Sequence, residues 1–354
     1  MQEIYPKFYK DFKCLADKCP NTCCKGWGVD IDALTLKRYK NVEGAYGAKL
    51  KHIVSNHKQF FKVGSTCPFL NKDGLCDIEI NLGEDYLCDV CRTFPRVKYT
   101  YGEYEENSLS CACIECSRLL LRDKVEFETI KTDKSVVSYN RFDSKIFPYM
   151  KNARSFIYEV LNSNMDFDSK LQFILDLGNY LQQNFNIYSN IDKIIEEYRH
   201  KLAGYSKKIT DSLSTKDIIK LIKKYSKLEM LTPFIYDKLN ALLHLMYNKR
   251  VTAQDLKNFV LSYRNIFEFN NILIYFVYKY FLRCVYDYKI KARIDFGVYS
   301  VIILMLLAVG DTFLNGYFDT QCNIKNLEMF SREIEHNEDS IKKLTKYFNK
   351  KTRH

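Results

Sequence analysis

The chain has 354 residues, 47% of them hydrophobic and 15% aromatic, and carries a formal net charge of +11. With only 13 Gly and 6 Pro, this composition excludes collagen-like and disordered classes and supplies enough apolar surface for a sizeable core. It contains 13 cysteines, and all but Cys284 and Cys322 lie between Cys14 and Cys116.

The opening MQEIYPKFYKDFKC is charged and aromatic and lacks the apolar stretch of a signal peptide, so a cytoplasmic protein with reduced thiols is expected. Thiols at this density in a reducing compartment bind a metal or cluster rather than pair with one another. The pattern predicts a helix over 34–39, then turn signals (Cys67-Pro68, Lys72-Asp73-Gly74) among short apolar patches. VKYTYGEYEENSLS (97–110) reads as two short strands around a glycine turn.

Beyond residue 117 the helical period takes over. Leu171, Ile174, Leu175, Leu177 and Leu181 share one helix face, as do Ile218, Leu221, Ile222 and Tyr225. Leu175-Asp176-Leu177-Gly178 imitates the donor loop of nucleotide-fold methyltransferases. No strand precedes it and no further glycines follow, so it reads as amphipathic helix. Residues 272–288 are apolar nearly all round and belong at the centre of a bundle. The run VYSVIILMLLAVG (298–310) falls short of the ~18–20 residues a bilayer span needs and is bracketed by Asp295 and Asp311. It reads as a buried core helix, with no membrane span.

The expected fold is mainly α: a small Cys-rich, loop-rich metal or cluster module with short strands (1–125), packed on a helical domain (126–354). The charge of +11 divides into +2 and +9 over these parts. No nucleic-acid-binding motif accompanies the basic helices, so their lysines read as solvated surface rather than a nucleic-acid interface.

In order, the thiols are Cys14-x4-Cys19-x3-Cys23-Cys24, Cys67-x8-Cys76, Cys88-x2-Cys91 and Cys111-x-Cys113-x2-Cys116. Short spacings let one turn aim two sulfurs at one metal, and both tetrahedral zinc and a cubane cluster accept four thiolates. Only His52 and His57 lie nearby, neither at finger spacing, so an all-thiolate site suits either metal.

FKCLADKCPNTCCKGWGVDID (12–32) resembles the signature of the flagellin lysine-N-methylase family, part of a broader Cys-rich zinc- or iron-chelating group. CPFLNKDGLCDIEINLGEDYLCDVCRTFPR (67–96), FNNILIYFVYKYFLRCVYD (269–287) and SREIEHNEDSIKKL (331–344) extend the resemblance over almost the whole chain. It implies a cytoplasmic enzyme that methylates lysine ε-amines of flagellin with S-adenosylmethionine and is associated with a [4Fe-4S] cluster, zinc being the alternative. The metal ligands it carries over are drawn from Cys14, Cys19, Cys23, Cys24, Cys67, Cys76, Cys88, Cys91 and Cys113. Where the family starts a helix with Cys-Pro-Glu, this chain has Cys113-Ile114-Glu115, flanked by Cys111 and Cys116.

N-methylation requires a neutral amine in line with the sulfonium methyl, so the site must desolvate the ammonium or take its proton. Glu333, Glu335 and His336 form an acid/base-capable group for that step, Glu335 and His336 being the expected catalytic pair. Trp27 is expected over the cluster or stacked on the donor. Asp30 and Asp32 suit a ribose, a substrate ammonium or a helix cap, and Arg92 and Arg96 suit the cluster charge or the donor carboxylate. The rival expectation is a non-enzymatic zinc or iron-sulfur protein whose helices dock a partner.

Overall fold

The computed structural model describes residues 1–54, 60, 66–133, 141–185 and 191–350. His57 lies outside them. The fold is mainly α with one small sheet.

Strands β1 (Gln2–Pro6), β2 (Arg96–Tyr101), β3 (Tyr104–Leu109) and β4 (Phe127–Lys131) form that sheet in the order β2-β3-β1-β4. The expected hairpin is β2 and β3, antiparallel with Tyr101 opposite Tyr104, and Gly102 at φ +62° opens its tight turn. Strand β1 runs parallel to β3 and antiparallel to β4. Neither outer partner was foreseen, because each is five residues long and only half apolar.

Helices α1 (Ala33–Lys40), α2 (Gly44–Val54), α3 (Asp77–Leu82) and α4 (Asp89–Thr93) carry the cysteine-bearing loops. Then follow α5 (Ile114–Arg122), α6 (Phe147–Asn162), α7 (Phe167–Gln183), α8 (Ile191–Leu202), α9 (Ile209–Ser212) and α10 (Thr215–Ser226). The series continues with α11 (Pro233–Tyr247), α12 (Ala253–Ser262), α13 (Phe267–Tyr280), α14 (Cys284–Asp287), α15 (Ile290–Asn315) and α16 (Thr320–Phe330). A π-helical turn (Ser331–Glu335) leads to α17 (Glu338–Lys350).

Local chemistry sets several of these boundaries. Asp166 and Ser214 cap α7 and α10, Thr252 and Asp255 form a reciprocal capping box on α12, and Gly316 at φ +83° closes α15.

Helix α15 contains the expected apolar run and is the central pillar, packed against α7, α11, α12, α13, α16 and α17. It is long and apolar enough to cross a membrane, but 78% of its most apolar stretch is buried within the fold. The Leu-Asp-Leu-Gly segment lies inside α7, as its periodicity predicts. A Cβ on Gly178 would come within 2.9 Å of Ile294 Cδ1, so this glycine serves the close approach of α7 and α15 rather than a cofactor loop. The apolar segment 272–288 does not stay helical throughout: α13 ends at Tyr280, a tight turn follows, and Tyr286 and Tyr288 are exposed.

The cores group by packing rather than by position. Tyr101, Tyr104, Leu120, Leu121 and Val125 join the large core of the helical half. A separate small core gathers Val29, Ile31, Tyr39, Leu50, Phe69, Ile78, Cys67 and Cys88. The sheet is tied to α13 by Tyr278, whose hydroxyl donates to Ile4 O (2.9 Å) and Asn107 O (3.2 Å). The buried Arg154–Glu106 ion pair joins it to α6.

Candidate functional site

Residues at the junction of β2, α13, the π-helical turn and α17 surround a cavity of about 580 Å3. Ser110, Lys279, Tyr280, Glu335 and His336 lie on its wall. The extra residue in a π-helical turn re-aims the side chains that follow it, and such turns recur at functional sites.

Glu335 is the most heavily hydrogen-bonded carboxylate here. It accepts from Lys279 Nζ (2.7 Å), the hydroxyls of Tyr280 (2.8 Å) and Tyr275 (3.0 Å), and Ser331 Oγ. Burial alone would raise its pKa, but the Lys279 charge and these hydrogen bonds hold it below the usual carboxylate range. It is a saturated counter-ion and therefore a poor proton acceptor. Glu333 is spent as well, accepting from the backbone N–H groups of Leu231 and Thr232 and from Thr232 Oγ1 at the start of α11.

His336 is different. Its Nε2 lies 2.9 Å from Ser110 Oγ, and Nδ1 has no protein partner among the described residues. Trp27 stacks on its ring at 4.9 Å and Phe94 packs at 6.0 Å, while the residue remains solvent-exposed on the cavity side. Desolvation of the ring by these neighbours, then the Lys279 charge, lowers its pKa towards about 4, with Glu335 opposing and the solvent-facing part of the residue moderating the shift. His336 is thus a neutral imidazole at pH 7 with a nitrogen available to a ligand.

Arg332 joins this wall to the cysteines. Its guanidinium lies 4.1 Å from the Trp27 ring centroid and donates to Lys25 O (2.7 Å), Asn21 O (3.3 Å) and Thr22 O (3.4 Å). It therefore clasps the loop holding Cys23 and Cys24.

Nine cysteines expected from the sequence fall into two neighbouring groups of free thiols. Cys24, Cys67, Cys76, Cys88 and Cys91 lie close enough for their charges to act on one another, as do Cys14, Cys19, Cys23 and Cys113; Cys23 and Cys24 join the groups. Backbone pairing brings Cys67 to Cys24 (Cys67 N–H to Cys24 O, 2.9 Å), and a bridge between Leu70 and Cys76 brings in the next thiol. A hydrogen bond from the Cys23 thiol lowers Cys24 to about 7 against the effect of burial. Cys116 lowers Cys113 to about 7 likewise, and Cys91 lowers Cys88. An all-sulfur set with three thiols disposed to ionise fits a thiolate-ligated metal or cluster in its chemistry. Among the described residues, however, no three His, Cys, Asp or Glu side chains already surround a common metal position.

The other expected residues are dispersed. Asp32 caps α1 through Thr35 N–H (2.9 Å) and also accepts from Asp89 N–H (3.0 Å), fixing the Cys88/Cys91 turn. Asp30 is exposed. Arg92 pairs with Asp89 at 2.6 Å on the surface, and Arg96 lies over the rings of Tyr9 and Phe12. None of these four residues lines the cavity. Trp27 packs on the small cysteine-bearing core while stacking on His336.

Asp32→Ala removes both caps and is expected to destabilise the protein by about 1–2 kcal/mol. Against a burial effect that would raise it, the N–H groups of Asp89 and Thr35 lower the Asp32 carboxyl to about 2. A depressed carboxyl contributes stability above its unfolded pKa, and this is lost as pH falls through the folded value. The variant's deficit in urea melts should therefore be full at pH 7 and shrink between about pH 4 and 2. A deficit unchanged at pH 2 would count against the capping role.

Sequence reasoning missed Ser110, Tyr275, Lys279, Tyr280, Arg283 and Arg332. A signal existed for Lys279, the one charge within the apolar stretch NNILIYFVYKYFL.

The C-terminal part of the cavity wall, from Lys279 to Asn349, lies within residues 154–353, which match the family model described as the FliB lysine N-methylase C-terminal domain. The chain belongs to the FliB lysine N-methylase family. It is 26% identical over 193 residues to the lysine-N-methylases of Salmonella choleraesuis and Salmonella typhimurium, an alignment covering 50% of this chain and 47% of each relative. It is 31% identical over 131 residues to the flagellar biosynthetic protein FliU of Salmonella muenchen, covering 33% of this chain and 76% of that one. The chain thus spans about half the length of the lysine-N-methylases it matches. No solved structure matches this family member.

Proposed function

We propose that the chain transfers the methyl group of S-adenosylmethionine to lysine ε-amines of flagellin at the cavity beneath His336. Family membership through the segment that builds most of this cavity carries the proposal. The chemistry of the wall supports it. The cationic side chains lining the cavity lower the pKa of a lysine ammonium that enters and so ease the loss of its proton to the base. His336, already neutral, offers Nδ1 for the released proton. The amine lone pair then forms the N–C bond as the C–S bond breaks, and the electron pair stays on sulfur to give the neutral thioether. Alignment and exclusion of water supply most of the acceleration.

A [4Fe-4S] cluster, with zinc as the alternative, would be held by thiolates of the two cysteine groups. It would supply a rigid fastening for the loop that carries Trp27, or an anchor for the donor. Amine methylation needs no electron from it.

Protein purified without oxygen is expected to contain iron and acid-labile sulfide, and to move tritium from methyl-labelled S-adenosylmethionine onto flagellin lysines. A folded, metal-loaded protein that leaves flagellin unlabelled would instead support a partner-docking metal protein. Zinc without iron would remove the cluster and leave the transfer to be judged by the label.

A further inference from the structure

Six cationic side chains line the cavity (Lys279, Arg283, Lys289, Arg293, Lys342 and Lys346), against the carboxylates of Asp287, Glu335 and Glu338. Those carboxylates are already engaged. Glu335 is saturated as described, Asp287 takes Lys289 (3.0 Å) and Arg293 (2.8 Å), and Glu338 takes Lys342 (3.5 Å).

Arg283 is left with a neutral partner. Its guanidinium donates to Tyr99 Oη (2.7 Å) and lies over the rings of Tyr280 (4.8 Å) and Tyr99 (5.0 Å). Among the described residues it forms no ion pair with any carboxylate. It lines both this cavity and a second, of about 480 Å3, that Tyr99, Tyr101 and Tyr286 also line. Arg293 lines both cavities too, but its guanidinium is engaged by Asp287. A partly desolvated guanidinium facing only hydroxyls and rings favours an anion, and its planar fork matches a carboxylate by two parallel hydrogen bonds.

We propose that Arg283 binds the amino-acid carboxylate of S-adenosylmethionine at the wall shared by the two cavities. This rests on the donor assignment made above.

The test is calorimetric binding of S-adenosylhomocysteine, its carboxyl methyl ester and methylthioadenosine to the full chain. The wild type is expected to prefer S-adenosylhomocysteine to the ester by about 10–100-fold, the range for one or two charge-assisted hydrogen bonds. Arg283→Gln should abolish that preference while binding the ester and methylthioadenosine as the wild type does. Arg283→Lys should keep part of it. Equal wild-type affinity for acid and ester would overturn the subsite, and this comparison needs no variant to fold. A preference that survives in Arg283→Gln would overturn the subsite while leaving the donor assignment intact. If the wild type binds none of the three, the donor assignment falls and the subsite falls with it.

Discussion

Glu335→Ala is expected to lower unfolding free energy by about 3–5 kcal/mol, the usual cost of removing one partner from a buried ion pair. The glutamate side chain is 0% exposed and that of Lys279 is 6% exposed, so little water can replace the lost carboxylate. The substitution leaves the Lys279 ammonium with only the Tyr275 hydroxyl at 2.8 Å, and deprives the hydroxyls of Tyr280 and Ser331 of their acceptor. An unpaired buried charge costs far more than an absent pair. The double variant Glu335→Ala with Lys279→Met should therefore recover much of the loss, because it removes the stranded charge too. Urea melts of the single and double variants check this. A single variant as stable as the wild type, or a double variant that is simply the sum of the singles, would contradict the coupling.

The second large effect concerns chemistry rather than stability. His336→Gln keeps a side chain of similar reach that can still hydrogen-bond Ser110 Oγ, but it cannot accept a proton. Methyl transfer to flagellin should fall by about 10²–10⁴-fold, the typical contribution of a positioned general base, with little change in melting. The pH profile gives an independent sign. In the proposed reaction activity needs the neutral imidazole, and the folded-state pKa is lowered from an ordinary 6.5 to about 4. The acid limb assigned to this group should therefore lie near pH 4, with activity holding as pH drops through 6.5. An acid limb near 6.5 would show that the neighbours do not depress the imidazole, and a fully active glutamine variant would remove His336 from the reaction.

What could be read from the sequence followed physical rules that act locally. The 3.6-residue period placed α7 and α10, an uninterrupted apolar run placed α15, and the glycine between two short strand-like runs placed the β2–β3 hairpin. The cysteine spacing singled out the thiols that the fold gathers into two neighbouring groups. The cavity was only half legible. Glu335 and His336 were identifiable as acid/base types, but their roles diverge because of partners far away in the chain. Lys279 lies 56 residues before Glu335 and neutralises it, while Ser110 lies 226 residues before His336 and orients it. Glu333 looked equivalent to Glu335 and instead closes the start of α11, 101 residues earlier. Asp32 shows the opposite case: its cap on α1 is local and readable, whereas its hold on Asp89, 57 residues on, is not. The break after α13 was also hidden, because residues 281–288 remain as apolar as the helix before them.

The most direct measurement is peptide mass spectrometry of flagellin incubated with S-adenosylmethionine and either wild-type protein or His336→Gln. The proposed site predicts lysine peptides heavier by one or more methyl groups with the wild type and nearly none with the variant at equal time. Unmodified lysines after incubation with folded wild-type protein, or equal methylation by both proteins, would contradict it.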